Sequence, residues 1–188
     1  MIAYFVYNLN SYSGASQQAL LLAKSIGLPV VIFNHENGIY SRKKLNDLVE
    51  IINLPSNKIF RLFCILFFLI KKKVKILHLH GFFKHGILLG FILRKKVFLK
   101  TTLMDSDDFK SLHKKSRYKP FLKFLLNHVD VNICLTQQLK QVNMHYMNEE
   151  KIKVIPNAVV IPAEIPVKER NVFCFVGLVC ERKGTYES

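Results

Sequence analysis

His78 and His80 are the residues of this sequence whose types and spacing most directly suggest chemistry. They alternate within an apolar run, and a period of two places both imidazoles on one face of a strand. A third histidine, His85, follows closely, so the group resembles a set of metal ligands. No acidic residue or cysteine lies close to them in sequence, however, and we predict that no metal is bound there.

A cluster of three aspartates follows the next apolar run. Asp105, Asp107 and Asp108 could together bind a divalent cation or take part in acid–base catalysis. The alternative is a helix N-terminus or a solvated loop, where acidic residues are favoured in any case. The sequence leaves both interpretations open.

The stretch from Lys151 to Gly184 combines two apolar runs with a basic turn. The first run, Ile152 to Ile155, ends at Pro156, and the second, Val172 to Val176, ends at Gly177. Short apolar runs bounded by proline and glycine are typical of buried strands. Proline lacks an N–H and fixes φ, so the proline-containing segment between the runs does not continue a strand or a helix. We predict a strand, a linker at a domain boundary, a second strand and a phosphate-type loop.

Regular elements must position these residues, and strand-like and helix-like stretches alternate along the chain. Strands are predicted over residues 2–7, 29–33, 49–54, 74–79, 97–101 and 131–135. Helices are predicted over residues 15–26, 41–50, 59–70, 86–93, 119–128 and 136–147. This alternation indicates an α/β fold with a doubly wound, Rossmann-like parallel sheet that helices cover on both faces.

The sequence VIPNAV followed by FVG and RKG resembles the domain junction of retaining GT-B glycosyltransferases, the group called family 4. These enzymes have two Rossmann-like domains that face each other across a cleft, with the acceptor mainly on the first and the nucleotide-sugar mainly on the second. The resemblance implies an acceptor-side domain over residues 1–157, a linker over 158–171, and the start of a truncated donor-side domain over 172–188.

The resemblance also implies which residues line the cleft. Donor-binding residues are expected at Asn157, Gly177 and Lys183. Acceptor-side residues are expected in the first loop, after the strand KILHLHGFF and in the aspartate loop, at Ser13, Gly14, His80, Gly81 and Asp105. The sequence departs from the family at Leu178, where an arginine is usual, and at Met104, where a histidine is usual. Catalytic residues are therefore unassigned. No cofactor is expected, because the nucleotide-sugar is a substrate.

The positive charge of the chain is concentrated in one window. The formal net charge is +15, and residues 51–100 contain 11 Lys and Arg and no Asp or Glu. Such a window is either a solvated surface or a patch that faces anions.

The helix predicted over 59–70 would span about 18 Å at about 1.5 Å per residue. That length is too short for a bilayer core of about 30 Å. The helix is therefore either buried or lies in a membrane interface. We predict an anionic membrane surface as a partner, contacted through two basic triplets: Lys71, Lys72, Lys73, Arg94, Lys95 and Lys96.

Three functions compete for this sequence. A nucleic-acid-binding module is disfavoured, because the aromatic residues cluster in apolar runs and no helix-turn-helix or zinc spacing occurs. A glycosyltransferase acting on a lipid-linked or surface-polysaccharide acceptor is favoured. The alternative is a non-catalytic membrane-surface or partner-binding domain left by truncation. We expect these 188 residues not to transfer sugar unaided, and a separate polypeptide to be a possible source of the C-terminal lobe. Cysteines without C-x-x-C spacing and an N-terminus without a basic leader favour a cytoplasmic location, peripheral on the inner face of the membrane.

Overall fold

The computed structural model describes residues 1–9 and 14–158. Its strands are β1 (Ile2–Val6), β2 (Val30–Gly38), β3 (Ser41–Lys44), β4 (Val49–Pro55), β5 (Ile76–His80), β6 (Lys96–Thr101), β7 (Val131–Cys134) and β8 (Ile152–Val154). Its α-helices are α1 (Gly14–Ser25), α2 (Lys58–Lys71), α3 (Lys84–Ile92), α4 (Phe109–Lys115), α5 (Lys119–Asn127) and α6 (Gln137–Asn143), and a short 3-10 helix covers Glu149–Lys151. Residues Met1–Ala158 form one compact unit. The predicted second-lobe segment, 172–188, lies outside the described residues.

The eight strands form one sheet in the order β3-β4-β2-β1-β5-β6-β7-β8. Every neighbouring pair is parallel except β3 and β4, which are antiparallel. The predicted doubly wound α/β fold is therefore confirmed. Since parallel strands end at the same edge, the sheet has one carboxyl edge, where ligands of such folds bind, and one amino edge.

The strands are apolar on both faces because helices cover both. On β1, Phe5 packs into the larger core cluster, which includes apolar residues of α2, α3 and α5. The neighbouring Tyr4 belongs to a smaller cluster with Ala19 and Ala23 of α1. Near-continuous apolar runs are the expected pattern for parallel strands buried on both faces.

The helix predicted over residues 41–50 is wrong. Ser41–Lys44 is instead a strand that pairs antiparallel with β4. The turn between them is held by Asn46, whose Oδ1 accepts hydrogen bonds from Leu48 N and Val49 N. Glu50 on β4 forms ion pairs with Arg42 on β3 and Lys72.

Helix α3 packs closely on the sheet because it has glycines on its inner face. A Cβ at Gly86 would lie 2.9 Å from Leu79 Cδ2. A Cβ at Gly90 would collide with Val97 Cγ2 on β6. Close helix–sheet contact therefore depends on both glycines. Among the described helices, none has the length and apolar character that crossing a membrane requires.

Candidate functional site

Two neighbouring strands bring a histidine and a lysine together at the carboxyl edge. His80 on β5 and Lys100 on β6 are register partners, so their side chains lie side by side on the same face. Lys100 is 8% exposed, and its Nζ donates a 2.8 Å hydrogen bond to Oδ1 of Asn157. Burial lowers the pKa of Lys100. Two residues predicted separately, His80 and Asn157, are thus linked through a buried lysine that the sequence analysis did not single out as a site residue.

The imidazoles of His78 and His80 lie 4.4 Å apart on the α1 side of the sheet, and both contact the ring of Tyr4. Burial, together with the charge of Lys100, lowers the pKa of His78 to about 4. Burial also lowers the pKa of His80 well below its ordinary value. Nε2 of His78 and both ring nitrogens of His80 have no hydrogen-bond partner. Burial therefore favours the neutral form of both rings.

His85 does not join this pair. It lies across the sheet, where its Nε2 is 3.4 Å from Nε2 of His35 and its ring contacts Phe5. Within residues 1–9 and 14–158, no group of three potential metal ligands occurs.

Gly81 follows His80 in a conformation that favours glycine, with φ of +112°. A Cβ at this position would lie 2.9 Å from Cε2 of Tyr7. The Tyr7 ring stacks on Phe83, and its hydroxyl donates a 2.9 Å hydrogen bond to Phe82 O. Gly81 thus allows the chain leaving β5 to pass directly beneath the chain leaving β1 at the predicted cleft.

The three aspartates after β6 do not converge on one point. Asp107 accepts hydrogen bonds from Thr102 N, Thr102 Oγ1 and Leu103 N. Asp108 is the N-cap of α4 and accepts from Ser111 N. Asp105 is exposed, with φ of +59°. Two of the carboxylates therefore organise the loop and begin a helix, as the second interpretation of this cluster expected.

Some of the remaining residues predicted to line the cleft lie within the described part of the chain and others lie outside it. Gly14 is exposed at the start of α1. One turn further along, Gln18 Nε2 donates a 2.9 Å hydrogen bond to Ala158 O, so α1 contacts the residue after Asn157. Ser13, Gly177 and Lys183 lie outside the described residues, and their roles stay predictions.

The two basic triplets lie at the amino edge, because α2 and α3 run back from the carboxyl edge and the triplets follow them. Lys72 forms an ion pair with Glu50, and Lys96 forms one with Asp130. Lys71, Lys73 and Arg94 are exposed. Two of the six basic residues that were predicted to contact a membrane therefore form ion pairs within the protein instead.

The outward face of α2 is apolar along its whole length, and we call it the α2 apolar face. Its members are Ile59, Phe60, Leu62, Phe63, Phe67 and Ile70, each at least 42% exposed. Ile39 and Tyr40, in the turn between β2 and β3, are also exposed, and Tyr40 lines a groove of about 270 Å³ with Phe60, Phe63 and Phe67. A contiguous exposed apolar surface of this kind marks an interaction site.

Comparison with solved structures shows the same fold in proteins of low sequence identity. The Anabaena protein HepE (Alr3699), crystallised with UDP-glucose, matches with a TM-score of 0.58 and 13% identity over 84% of this chain and 44% of that protein. A UDP-N-acetylglucosamine 2-epimerase matches with a TM-score of 0.56 and 12% identity over 84% of this chain and 48% of the enzyme. The Neisseria meningitidis UDP-GlcNAc 2-epimerase, bound to UDP-GlcNAc, matches with a TM-score of 0.53 and 12% identity over 82% of this chain and 45% of the enzyme.

This chain thus spans less than half the length of each of these structures. Comparison with curated proteins gives no match. The sequence profile of Glycosyltransferase Family 4 matches residues 49–161, which is more than half of the chain and extends from β4 through β8 to the segment that contains Asn157. The chain belongs to glycosyltransferase family 4.

Proposed function

We propose that this chain forms the acceptor-side lobe of a retaining GT-B glycosyltransferase that transfers a sugar from a nucleotide-sugar to a lipid-linked or surface-polysaccharide acceptor. The observation that carries the proposal is the hydrogen bond from Lys100 to Asn157 at the carboxyl edge, beside His80. A cation at this edge, close to the segment that leaves the lobe, suits a ligand that carries negative charge.

A nucleotide-sugar is the donor class that the comparisons favour. HepE was crystallised with UDP-glucose and the Neisseria epimerase with UDP-GlcNAc, and each shares this fold. The donor diphosphate would contact Lys183 and the backbone at Gly177 on a second lobe. That lobe belongs either to the same polypeptide or to a separate one, and transfer requires both lobes.

The α2 apolar face supports an acceptor that is presented at a membrane. An amphipathic helix binds an interface through its buried apolar area, and basic residues nearby add attraction to anionic lipids. Lys71, Lys73 and Arg94 are exposed at the end of the lobe where α2 and α3 finish. The chain would then lie on the inner face of the cytoplasmic membrane, with α2 in the interface.

Sugar incorporation into membranes tests the proposed function. Membranes from cells that express the chain together with a complete donor lobe are incubated with radiolabelled UDP- and GDP-sugars, and the lipid and polysaccharide fractions are counted. Incorporation should depend on the chain and fall at least about tenfold in Lys100→Met, because a charge-assisted hydrogen bond contributes about 1.5–3 kcal/mol. Lys43→Met, which removes an exposed charge from β3, is the matched control and should keep full incorporation.

Two results would contradict the proposal. If no label depends on the chain, the lobe is a non-catalytic membrane-surface or partner-binding domain. If both lysine variants incorporate label equally, the carboxyl edge at Lys100 takes no part in the reaction. A circular dichroism spectrum of Lys100→Met confirms that the variant is folded.

A further inference from the structure

The side chains of His80 and Lys100 have unused hydrogen-bonding groups at the carboxyl edge, and we call this pair the Lys100 site. The ammonium of Lys100 has three N–H groups, and its hydrogen-bond partner among the described residues is Asn157. No carboxylate in the described part of the chain forms an ion pair with it. Both ring nitrogens of His80 lack a hydrogen-bond partner, although this residue is only 2% exposed. Buried polar groups without partners are rare and require an explanation, and at this edge of a sheet a ligand provides one.

One ligand can contact both side chains of the Lys100 site. His80 and Lys100 are register partners on neighbouring strands, and such strands lie about 4.8 Å apart. Helix α1 begins at the same edge, because Gln18 in its second turn donates a hydrogen bond to Ala158 O, beside Asn157. The first turn of α1 contains no acidic residue, and the N-terminal end of a helix favours negative charge. The ends of β5 and β6 and the start of α1 therefore form one position that suits an anion.

The charge of the Lys100 site limits which anion it can hold. Burial favours the neutral form of His80, so Lys100 supplies the positive charge. Lys153 lies on the same face of the sheet, but it is exposed and two strands away on β8. A water molecule would satisfy the imidazole but leave the buried ammonium without a counter-charge, which is costly. A singly charged anion balances Lys100, whereas a doubly charged phosphate monoester would leave one negative charge buried and unpaired.

We propose that the Lys100 site binds the carboxylate of an acidic sugar. A carboxylate is a terminal group with two oxygens, so Lys100 and the N–H of a neutral His80 can each donate a hydrogen bond to it. The other ring nitrogen of His80 then accepts a hydrogen bond from a neighbouring hydroxyl of the sugar. A phosphodiester also carries one negative charge, but its two ester chains do not fit a site whose side chains are almost fully buried. Assigning this sugar to the acceptor rests on the proposed function, whereas carboxylate binding itself does not.

Titration of the full chain with glucuronate tests the site. Binding is followed by NMR at about 0.15 M salt, where distant charges are largely screened. The comparison ligands are glucose, which has the same ring without the charge, and glucose 6-phosphate. Glucuronate should bind saturably and about tenfold more tightly than either, because it alone pairs with Lys100 without excess charge. Equal affinity for glucose, or tighter binding of the phosphate, would overturn the proposal.

Three variants locate the bound carboxylate. Lys100→Met should reduce the affinity for glucuronate to that for glucose. His80→Leu should weaken glucuronate binding about fivefold without lowering the urea midpoint of the free protein, because this ring loses no hydrogen bond. Lys153→Met is the matched control, since it removes an exposed charge from the same face and should keep the wild-type affinity.

The two site variants also show how the proposal fails. If Lys100→Met does not fold, His80→Leu still tests the site. Glucuronate affinity that is unchanged in His80→Leu, or reduced equally in Lys100→Met and Lys153→Met, would refute it.

None of these measurements requires sugar transfer, so the site and the proposed function can fail separately. Glucuronate binding through Lys100 without chain-dependent incorporation of label would support the site and contradict the transferase. Incorporation of label by a chain that does not bind glucuronate would support the transferase and overturn the acidic sugar.

Discussion

Four histidines that are buried or half-buried make the stability of this lobe sensitive to acid. They are His35, His78, His80 and His85, and burial lowers the pKa of each below the ordinary value of 6.5. As the pH falls below about 6.5, the unfolded chain takes up protons on these residues before the folded protein does. The free energy of unfolding should therefore decrease from pH 6.5 towards pH 4, by about 1.4 kcal/mol per pH unit for each histidine.

Urea unfolding between pH 7.5 and 4.5 measures this effect. His78→Gln removes one titrating group and should reduce the slope by about 1.4 kcal/mol per pH unit. His145→Gln, which replaces an exposed histidine, is the matched control. Identical slopes for His78→Gln and wild type would show that folding does not lower the pKa of His78.

At the scale of single residues, the sequence predicted on which face of a strand a side chain lies, but it did not predict the hydrogen-bond partners of that side chain. Period two correctly placed His78 and His80 on one face. Lys100 was missed as a site residue, because a lysine inside an apolar strand differs in no local way from the other lysines nearby. Its partner, Asn157, lies 57 residues away and becomes a neighbour only when β6 and β8 join one sheet.

The α2 apolar face should determine binding to membranes. Phe63 and Phe67 are 64% and 55% exposed. Replacing both with serine should weaken flotation with anionic vesicles at least about tenfold, because burying one such side chain contributes about 1.5–3 kcal/mol. The stability of the free protein should change little, since these side chains contribute little to its core. Phe121→Ser on α5 is a control for losing an exposed ring.

The basic triplets should contribute a smaller, salt-dependent part of membrane binding. Substituting all six residues with glutamine should release the protein mainly at low salt, where screening is weak. Flotation of the Phe63→Ser, Phe67→Ser variant at the wild-type level would contradict a role for α2.

The close packing of α3 predicts a sharp response to one methyl group. Gly90→Ala should destabilise the lobe by about 1–3 kcal/mol, because overpacking forces β6 and α3 apart. Adding Val97→Ala should recover part of this loss by removing the colliding methyl groups. Gly14→Ala should be nearly neutral, because a Cβ there meets no atom of the described residues within 4 Å. Urea midpoints of the three variants provide the measurement.

Helix and strand patterns in the sequence located most elements, but they did not show which faces are exposed to solvent or which strands pair. Residues 59–70 were predicted to be a helix, and α2 covers them. The apolar composition on nearly every side hid which face would be solvent-exposed, because a helix that is apolar all round has no distinctive periodicity. Strand β3 and the turn after it were predicted to be a helix, whereas β4 was predicted to be a strand. The pairing of β3 with β4 brings Arg42 to Glu50, a contact that only the folded sheet provides.

At the scale of the whole molecule, the proposed sugar transfer would need positive charge beside the donor diphosphate. The resemblance places Lys183 against the donor diphosphate, although its structure lies outside the described residues. In an enzyme assembled with a complete donor lobe, Lys183→Ala should weaken nucleotide-sugar binding about tenfold. Lys168→Ala, in the predicted linker, should have no effect. The Kd of each UDP- or GDP-sugar is measured for wild type and for Lys183→Ala. If the two proteins have the same Kd, Lys183 does not contact the donor diphosphate.

The antiparallel strand β3 has a consequence for the behaviour of the protein at high concentration. An outer strand with unpaired N–H and C=O groups is a template on which a second copy can add its own strand, which leads to aggregation. Here the outer strand has only four residues, all exposed, and three of them are Arg42, Lys43 and Lys44. Two such edges repel each other when they approach. The sheet is therefore protected from growing at this side, even though a large apolar surface lies on the neighbouring helix.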